Sequence, residues 1–343
     1  MSTNENKLPT LSEIKNHIPK ECFEKSLLKS LFYMIRDLLL LSTSIYTYDW
    51  LSSSLLGLLI YWNVYGFLMW CLFVVGHDCG HGSFSKYPIV NAFCGHLCHT
   101  PLLVPFFPWA YSHKMHHQFH NHLIKDKSYP WFSEDEFKNS LPMRVLLKSV
   151  ITPILSLGTY LYLGYFDGSH INPFGRLFIE TNKNEKVKCI ISLISVLLFA
   201  GILYASFSSF SDFMLVYGGC WIIFSCWLFI VTYMQHHDED TVVFDDTSWT
   251  FMNGAFQTID RSFGYGIDQF HHNITDCHLV HHLQFTQIPH YHLKKATKSI
   301  LPTLKNEYKF KKHKFFIFDF WKIFFNTHLT KWSLKKHTVE DLK

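Results

Sequence analysis

The sequence predicts an all-α integral membrane protein, with four transmembrane helices in two hairpins and a cytosolic helical cap that carries a histidine-rich site for two metal ions. Three observations lead there. Four apolar runs, residues 31–48, 55–76, 187–207 and 213–235, each approximate the ~20 residues needed to cross a bilayer core. Hydrophobic residues make up 48% of the 343, aromatics 17% with 33 Phe, and charged residues only 17%, where an ordinary soluble domain has about 25%. Histidine clusters lie between and beyond the runs, and a mean hydropathy of only +0.06 shows that polar segments balance the apolar ones.

The chain reads as one domain in five stretches. Residues 1–29 are polar and lack the apolar core of a cleavable signal; Thr10 or Ser12 is placed to cap a short helix that ends near Pro19. The first hairpin covers 31–76. Arg36 and Asp37 interrupt its first run at adjacent positions that do not share a helix face, so Arg36 is expected to snorkel toward the interface. Lys25 and Lys29 precede this run, whereas the connection between the two runs has no Lys or Arg. The positive-inside rule puts the N-terminus in the cytosol and returns the chain there at His77.

Residues 77–186 are cytosolic or interfacial. Residues 88–109 are apolar but broken by Pro101, Pro105 and Pro108, which suits a re-entrant segment better than a span. A polar helix is expected over 111–127, and 152–166 is too short to cross comfortably and reads as lying among the headgroups. The second hairpin, 187–235, follows Lys183, Lys186 and Lys188 and has a connection without Lys or Arg, so it too returns to the cytosol. The cap, 236–343, is punctuated by Pro289 and Pro302, and the C-terminus stays cytosolic. Its Lys-rich end suits an anionic leaflet at about 1 kcal/mol per Lys; nucleic acid is disfavoured beside membrane spans. Nine Cys without a CxxC, several of them in apolar runs, read as buried thiols in a reducing compartment.

The chemistry lies in three boxes on the same side. His77 and His81 form HxxxH; His113, His116 and His117 form HxxHH; His278, His281 and His282 repeat it. Residues three and four apart share a helix face, so each box presents its imidazoles together. A single such box is more often packing than a ligand set, but eight ligands exceed what one four-coordinate zinc needs, and two ions sharing the cluster is the economical reading. A hydrolase of the HExxH type needs a Glu base that no box supplies, so oxygen chemistry on iron is favoured. Asp78, inside box one, and Asp260 and Asp276, near box three, are candidates to accept the second N–H of a liganding imidazole; each is as readily a cap or a surface charge.

These motifs resemble the membrane fatty acid desaturases, within them the methyl-end enzymes of Δ12 (ω-6) and ω-3 type. The likeness rests on Gly76-His77-Asp78-Cys79-Gly80-His81-Gly82-Ser83-Phe84-Ser85, on Pro108-Trp109 before Ser112-His113-Lys114, and on Asp167-Gly168-Ser169-His170. It extends through Gln257-Thr258-Ile259-Asp260-Arg261, Asn273-Ile274-Thr275-Asp276 and Ile288-Pro289-His290-Tyr291-His292-Leu293. It covers nearly the whole chain. Asn253-Gly254 departs from the Arg-Gly of many relatives, and the last fifty residues have drifted the most.

The resemblance implies two irons held by His77, His81, His113, His116, His117, His278, His281 and His282. It implies a further ligand after the fourth span, for which His236 fits and His237 is expected to face solvent. His271 and His272 precede box three, and His272 is carried as a support for a ligand. The implied reaction uses O2 to remove two hydrogens from neighbouring methylenes and leave a cis double bond, with electrons from cytochrome b5 and its NADH-dependent reductase in the endoplasmic reticulum membrane. Box three starting with His278 and the lack of a fused cytochrome b5 domain set the chain apart from the front-end enzymes.

The acyl chain, on phospholipid or coenzyme A, would lie in a tunnel. Trp62, Phe67, Trp70, Trp221, Phe224 and Trp227 are offered as its walls, although each taken alone reads better as packing between helices. Oleate to linoleate (Δ12) is preferred to linoleate to α-linolenate (ω-3). A fatty acyl hydroxylase or conjugase could use the same site. A divalent-metal transporter is the alternative of another class, and the absence of His from all four runs counts against it.

Overall fold

The computed structural model describes residues 8–128, 139–141, 149–164, 168–238, 240–283, 287–304 and 308–330, with side chains up to 325 in the last stretch. Asp167 and parts of the Lys-rich end therefore lie outside the described residues. Two compact units emerge. One comprises Met1–Lys25, Met115–Glu134 and Met234–Lys343, the other Ser26–Lys114 and Asp135–Tyr233.

The second unit holds the apolar helices. Among the described residues three are long and apolar enough to cross a membrane: Leu55–His81, Lys183–Ala205 and Phe210–His236. A fourth is reached only if the bent pair Pro88–Leu102 and Phe106–Phe119, at 101° to each other, counts as one span. The run at 31–48 is not among these three. It forms two helices, Leu27–Ser42 and Ser44–Leu51, parted at Thr43. The Thr43 hydroxyl bonds back to the Leu40 carbonyl at 2.6 Å, and Thr43 and Thr47 meet the Tyr65 hydroxyl at 3.0 and 2.6 Å. Side chains that bond their own backbone compete with the helical ladder, and the break falls there.

Arg36 also departs from expectation. Its Nε donates to Asp37 Oδ1 at 2.8 Å, so the flexible guanidinium reaches round the helix and pairs the buried carboxylate next to it.

Leu55–His81 starts at Ser54, whose hydroxyl accepts the Gly57 N–H, and stops at Gly82, whose φ of +72° suits glycine. At 1.5 Å per residue its 27 residues measure about 40 Å against a core of about 30 Å, so its last turns, with His77 and His81, overrun the apolar layer. Gly66 lets this helix approach Phe210–His236: a Cβ there would lie 2.6 Å from the Cys220 carbonyl and 2.5 Å from the Ile223 Cβ. Small residues at such crossings replace the hydrophobic drive that lipid does not provide. Lys183–Ala205, which opens on an Asn182/Glu185 capping box, keeps Leu197, Leu198 and Ile202 mostly exposed, as a lipid-facing helix does.

The Pro-broken segment is two helices joined through Leu103, at φ +57°. The carbonyls freed at the corner are satisfied by aromatic donors. The Tyr217 hydroxyl donates to Pro101, Trp221 Nε1–H to Leu102 and the Tyr162 hydroxyl to Leu103, at 2.8, 2.9 and 3.3 Å. His99 donates from Nε2 to the Phe73 carbonyl at 3.1 Å. Irregular backbone at this depth persists only where protein supplies such partners.

In the first unit Leu11–His17 starts at Thr10 with a full capping box to Glu13 and packs on His290–Leu304, and Lys295 pairs with Glu21. An all-helical cap is corrected by a short parallel pair, β1 (Asp260–Ser262) and β2 (Phe310–Lys312), with Asp260 opposite Phe310.

Gly66→Ala is expected to destabilise the detergent-solubilised chain by about 1–3 kcal/mol, the usual range for overpacking. A thermal midpoint equal to that of the unaltered chain would remove the close crossing.

Candidate metal centre

Burial and helix register produce the histidine groups. Box one sits on the overrunning end of Leu55–His81, where His77 Nε2 and His81 Nε2 are 3.2 Å apart. His113 joins them, its ring 4.8 Å from His77 and 4.9 Å from His81, and one nitrogen of each of the three lies within 4.8 Å of the others. Trp109 stacks on His113 at 4.7 Å. This group belongs to the second unit.

The first unit holds the rest. Phe106–Phe119 delivers His116 and His117, the end of Phe210–His236 delivers His236, and the short helix His278–Leu283, every residue of it buried, delivers His278, His281 and His282. His116 Nε2 lies 3.3 Å from His236 Nε2, which is 3.2 Å from His278 Nε2, in turn 3.1 Å from His282 Nε2. His117 stacks on His282 at 4.1 Å and meets His281 at 4.7 Å. Two neutral imidazoles can share one proton, but a row of four converging Nε2 atoms has too few protons and lone pairs correctly placed to satisfy itself.

A metal–nitrogen distance of about 2.0–2.1 Å puts neighbouring ligands about 2.9–3.4 Å apart, which is the spacing seen. The residues fit a metal ion. Burial, followed by the His117 ring, holds His282 well below the ordinary imidazole range, so it is neutral, as a ligand must be.

Several supports differ from those expected. His116 Nδ1 meets Asp126 Oδ1 at 2.9 Å, and Asp126 also accepts the Asn121 N–H at 3.0 Å. His120 Nε2 lies 2.7 Å from His236 Nδ1. Neither residue was singled out from sequence. His120 carried a signal, being four residues beyond His116, but Asp126 comes ten residues later, past a turn, and carried none. The helix expected over 111–127 ends at Phe119, and the turns after it bring both residues back.

Asp78 Oδ1 is 3.6 Å from His77 Nδ1. Asp260 accepts the Leu279 N–H at 2.7 Å and the Tyr308 hydroxyl at 2.8 Å, so it holds the backbone of box three. Asp276 faces Lys294 at 3.4 Å, and His272 packs its ring 4.5 Å from His290. His237, expected in solvent, is buried, and its carbonyl accepts from Arg261 Nη2 at 3.1 Å.

Arg261 is fully buried and also donates to the Met234 carbonyl, capping the end of the helix that carries His236. Ile259 N–H donates to Gln235 O and Arg261 N–H to Thr275 O, at 2.9 and 2.8 Å, so residues 259–261 tie the His236 turn to box three.

The six aromatics proposed as walls are found between helices. Trp62 donates to Leu215 O at 2.7 Å and Trp221 to Leu102 O at 2.9 Å. Phe67 lies 5.0 Å from Trp227, and buried Trp70 and Phe224 pack on Phe73 at 5.7 and 5.6 Å.

A family model described as fatty acid desaturase matches residues 52–315. A Delta(12) fatty acid desaturase of Caenorhabditis elegans is 38% identical over 313 residues, covering 87% of this chain and 80% of that protein. An omega-3 fatty acid desaturase of the same organism is 38% identical over 308 residues, covering 87% and 74%. An Arabidopsis thaliana protein named acyl-lipid omega-3 desaturase (cytochrome b5), endoplasmic reticulum, is 37% identical over 310 residues, covering 87% and 78%.

Burial raises the Asp260 carboxyl from 3.8 to about 7. Between those values the folded chain keeps a proton that the unfolded chain has released, so this group's contribution to stability falls as pH rises through that window and is level above it. Asp260→Asn is therefore expected to flatten the fall in thermal midpoint between pH 5 and 8. Parallel profiles for the two proteins would refute this.

Proposed function

The chain belongs to the fatty acid desaturase family, and on that premise we propose that it inserts a cis double bond toward the methyl end of an unsaturated acyl chain, turning oleate into linoleate. The observation that carries this reading is the all-imidazole donor set: Nε2 atoms 3.1–3.3 Å apart link His116, His236, His278 and His282, and His236, like His77 and His81, stands at the end of a long apolar helix. Two irons would be held by His77, His81, His113, His116, His117, His236, His278, His281 and His282. Bound iron supplies the dioxygen chemistry that an unactivated methylene requires.

The balance is one O2, two electrons and two protons consumed; the substrate gives up two hydrogens from neighbouring carbons, and two waters form. The chain's own residues position the substrate and exclude water. We assign the acyl chain to the faces of Trp62, Phe67, Trp70, Trp221, Phe224 and Trp227. The indole N–H groups of Trp62 and Trp221 are already committed to Leu215 and Leu102, so their ring faces are what remain for an apolar chain. No acid or base at the reacting carbons is required, and Asp126 and Asp78 serve the ligands instead.

Cytochrome b5 with its NADH-dependent reductase would deliver the electrons at the endoplasmic reticulum membrane, with both termini cytosolic. The printed name of the Arabidopsis relative supports this partner and location. A cavity of about 490 Å³ lined by Arg261, Lys311, Lys312, His313 and Lys322, with Asp238 and Asp319, puts net positive charge where an acidic donor protein would be steered. Identity to the omega-3 relative equals that to the Delta(12) relative, so linoleate to α-linolenate is the second reading.

Expression in a host that makes oleate but no dienes is expected to yield linoleate by gas chromatography. Conversion of supplied linoleate alone would move the assignment to ω-3, and a hydroxylated product without new unsaturation would refute desaturation. His281→Ala is expected to abolish iron loading and turnover while membrane insertion persists; retained activity would remove it from the ligand set.

A further inference from the structure

We infer that His120, which is outside the box pattern, is a positioning residue for His236. Its Nε2 accepts the proton on His236 Nδ1 and so keeps His236 Nε2 unprotonated and turned toward His116 and His278. The inference rests on the metal reading of this cluster.

The geometry allows two proton arrangements across the 2.7 Å contact, and only one is compatible with ligation. If His120 donated, the His236 proton would sit on Nε2 and point at His116 Nε2 and His278 Nε2, 3.3 and 3.2 Å away. If His236 donates, its Nε2 lone pair faces that group and is available to an ion. A ligand's orientation and tautomer are set in this way by whatever receives its other N–H. His116 follows the same scheme with the Asp126 carboxylate at 2.9 Å. His236 has an imidazole in place of a carboxylate, and the lone pair of His120 Nε2 is what receives its N–H.

His120 is held in place from behind. It is buried, its ring packs 4.6 Å from His236 and 4.5 Å from His282, and its carbonyl accepts the Trp249 Nε1–H at 3.0 Å. A Cβ at Gly254 would come within 2.2 Å of that carbonyl, so glycine is needed where the two backbones meet. The Asn253-Gly254 pair, a departure from relatives in its first residue, thus has its second residue committed to seating His120.

The test compares purified full-length His120→Phe, which keeps a ring but cannot accept, with His120→Gln, whose side-chain carbonyl can. Iron per chain and resistance to a ferrous chelator are read together with turnover. His120→Phe is expected to weaken iron retention about 10- to 100-fold, the range for lost supports of metal ligands, and His120→Gln to recover most of that loss. Adding His120→Phe to His236→Ala is expected to cost little more, since both act on one nitrogen. Iron held by His120→Phe as tightly as by the unaltered chain would overturn the assignment, as would equal losses in the Phe and Gln variants. An unaltered chain that retains no iron would overturn the metal reading itself, and this assignment with it. Thermal midpoints of both variants identify a fold defect, and should Phe not be accommodated, His120→Leu replaces it as the variant that cannot accept, with the same expected loss and the same overturning result.

Discussion

The crowding of buried imidazole nitrogens is the constraint on which the rest of the structure depends. His116, His236, His278 and His282 bring their Nε2 atoms to successive separations of 3.1–3.3 Å. His282 among them is held neutral by burial and by its imidazole neighbours. The rings cannot satisfy one another by hydrogen bonds alone. The arrangement is costly for the polypeptide by itself, and it suits an ion that could accept several lone pairs at once.

The surrounding structure holds that crowd in place. The His236 turn is capped by Arg261, which spends its donors on Met234, His237 and His313. A fully buried guanidinium is expensive unless so occupied, and it is held beside Asp238 at 3.7 Å. Asp260 secures the first turn of the box-three helix through the Leu279 N–H. At the cluster Arg261 and Asp260 both hold backbone and no candidate ligand ring; the one imidazole that Arg261 meets is His313, outside the cluster. The site is therefore shaped in two steps, in which the backbone ends are pinned and the ring tautomers are then set by Asp126 and His120.

In the apolar unit a related economy applies. The corner at Leu103 frees carbonyls in a region where water is scarce, and three aromatic residues, Tyr162, Tyr217 and Trp221, turn their polar ends to them. Aromatic residues suit this because one end donates while the remaining surface stays apolar. Trp221 shows how a residue offered for substrate contact is also committed to the scaffold, so that the shape of the apolar interior and the path of the broken helix are not independent.

The sequence by itself determined the histidine boxes, the apolar runs and the family, because these reside in local quantities: helix periodicity, run length, and spacings of three and four. Thr10 was legible as a cap for the same reason. The break at Thr43 within the first apolar run was not legible, because it goes with the packing of Tyr65 against Thr43 and Thr47. Arg36 reached Asp37 although a face argument parted them, since a long side chain is not confined to its own face. Asp126, His120 and Arg261 acquired their roles only from tertiary structure. Which group a carboxylate, imidazole or guanidinium meets depends on turns and strand pairing that bring distant backbone together; the spacing of four from His116 marked His120 as near the cluster but not as the partner of His236.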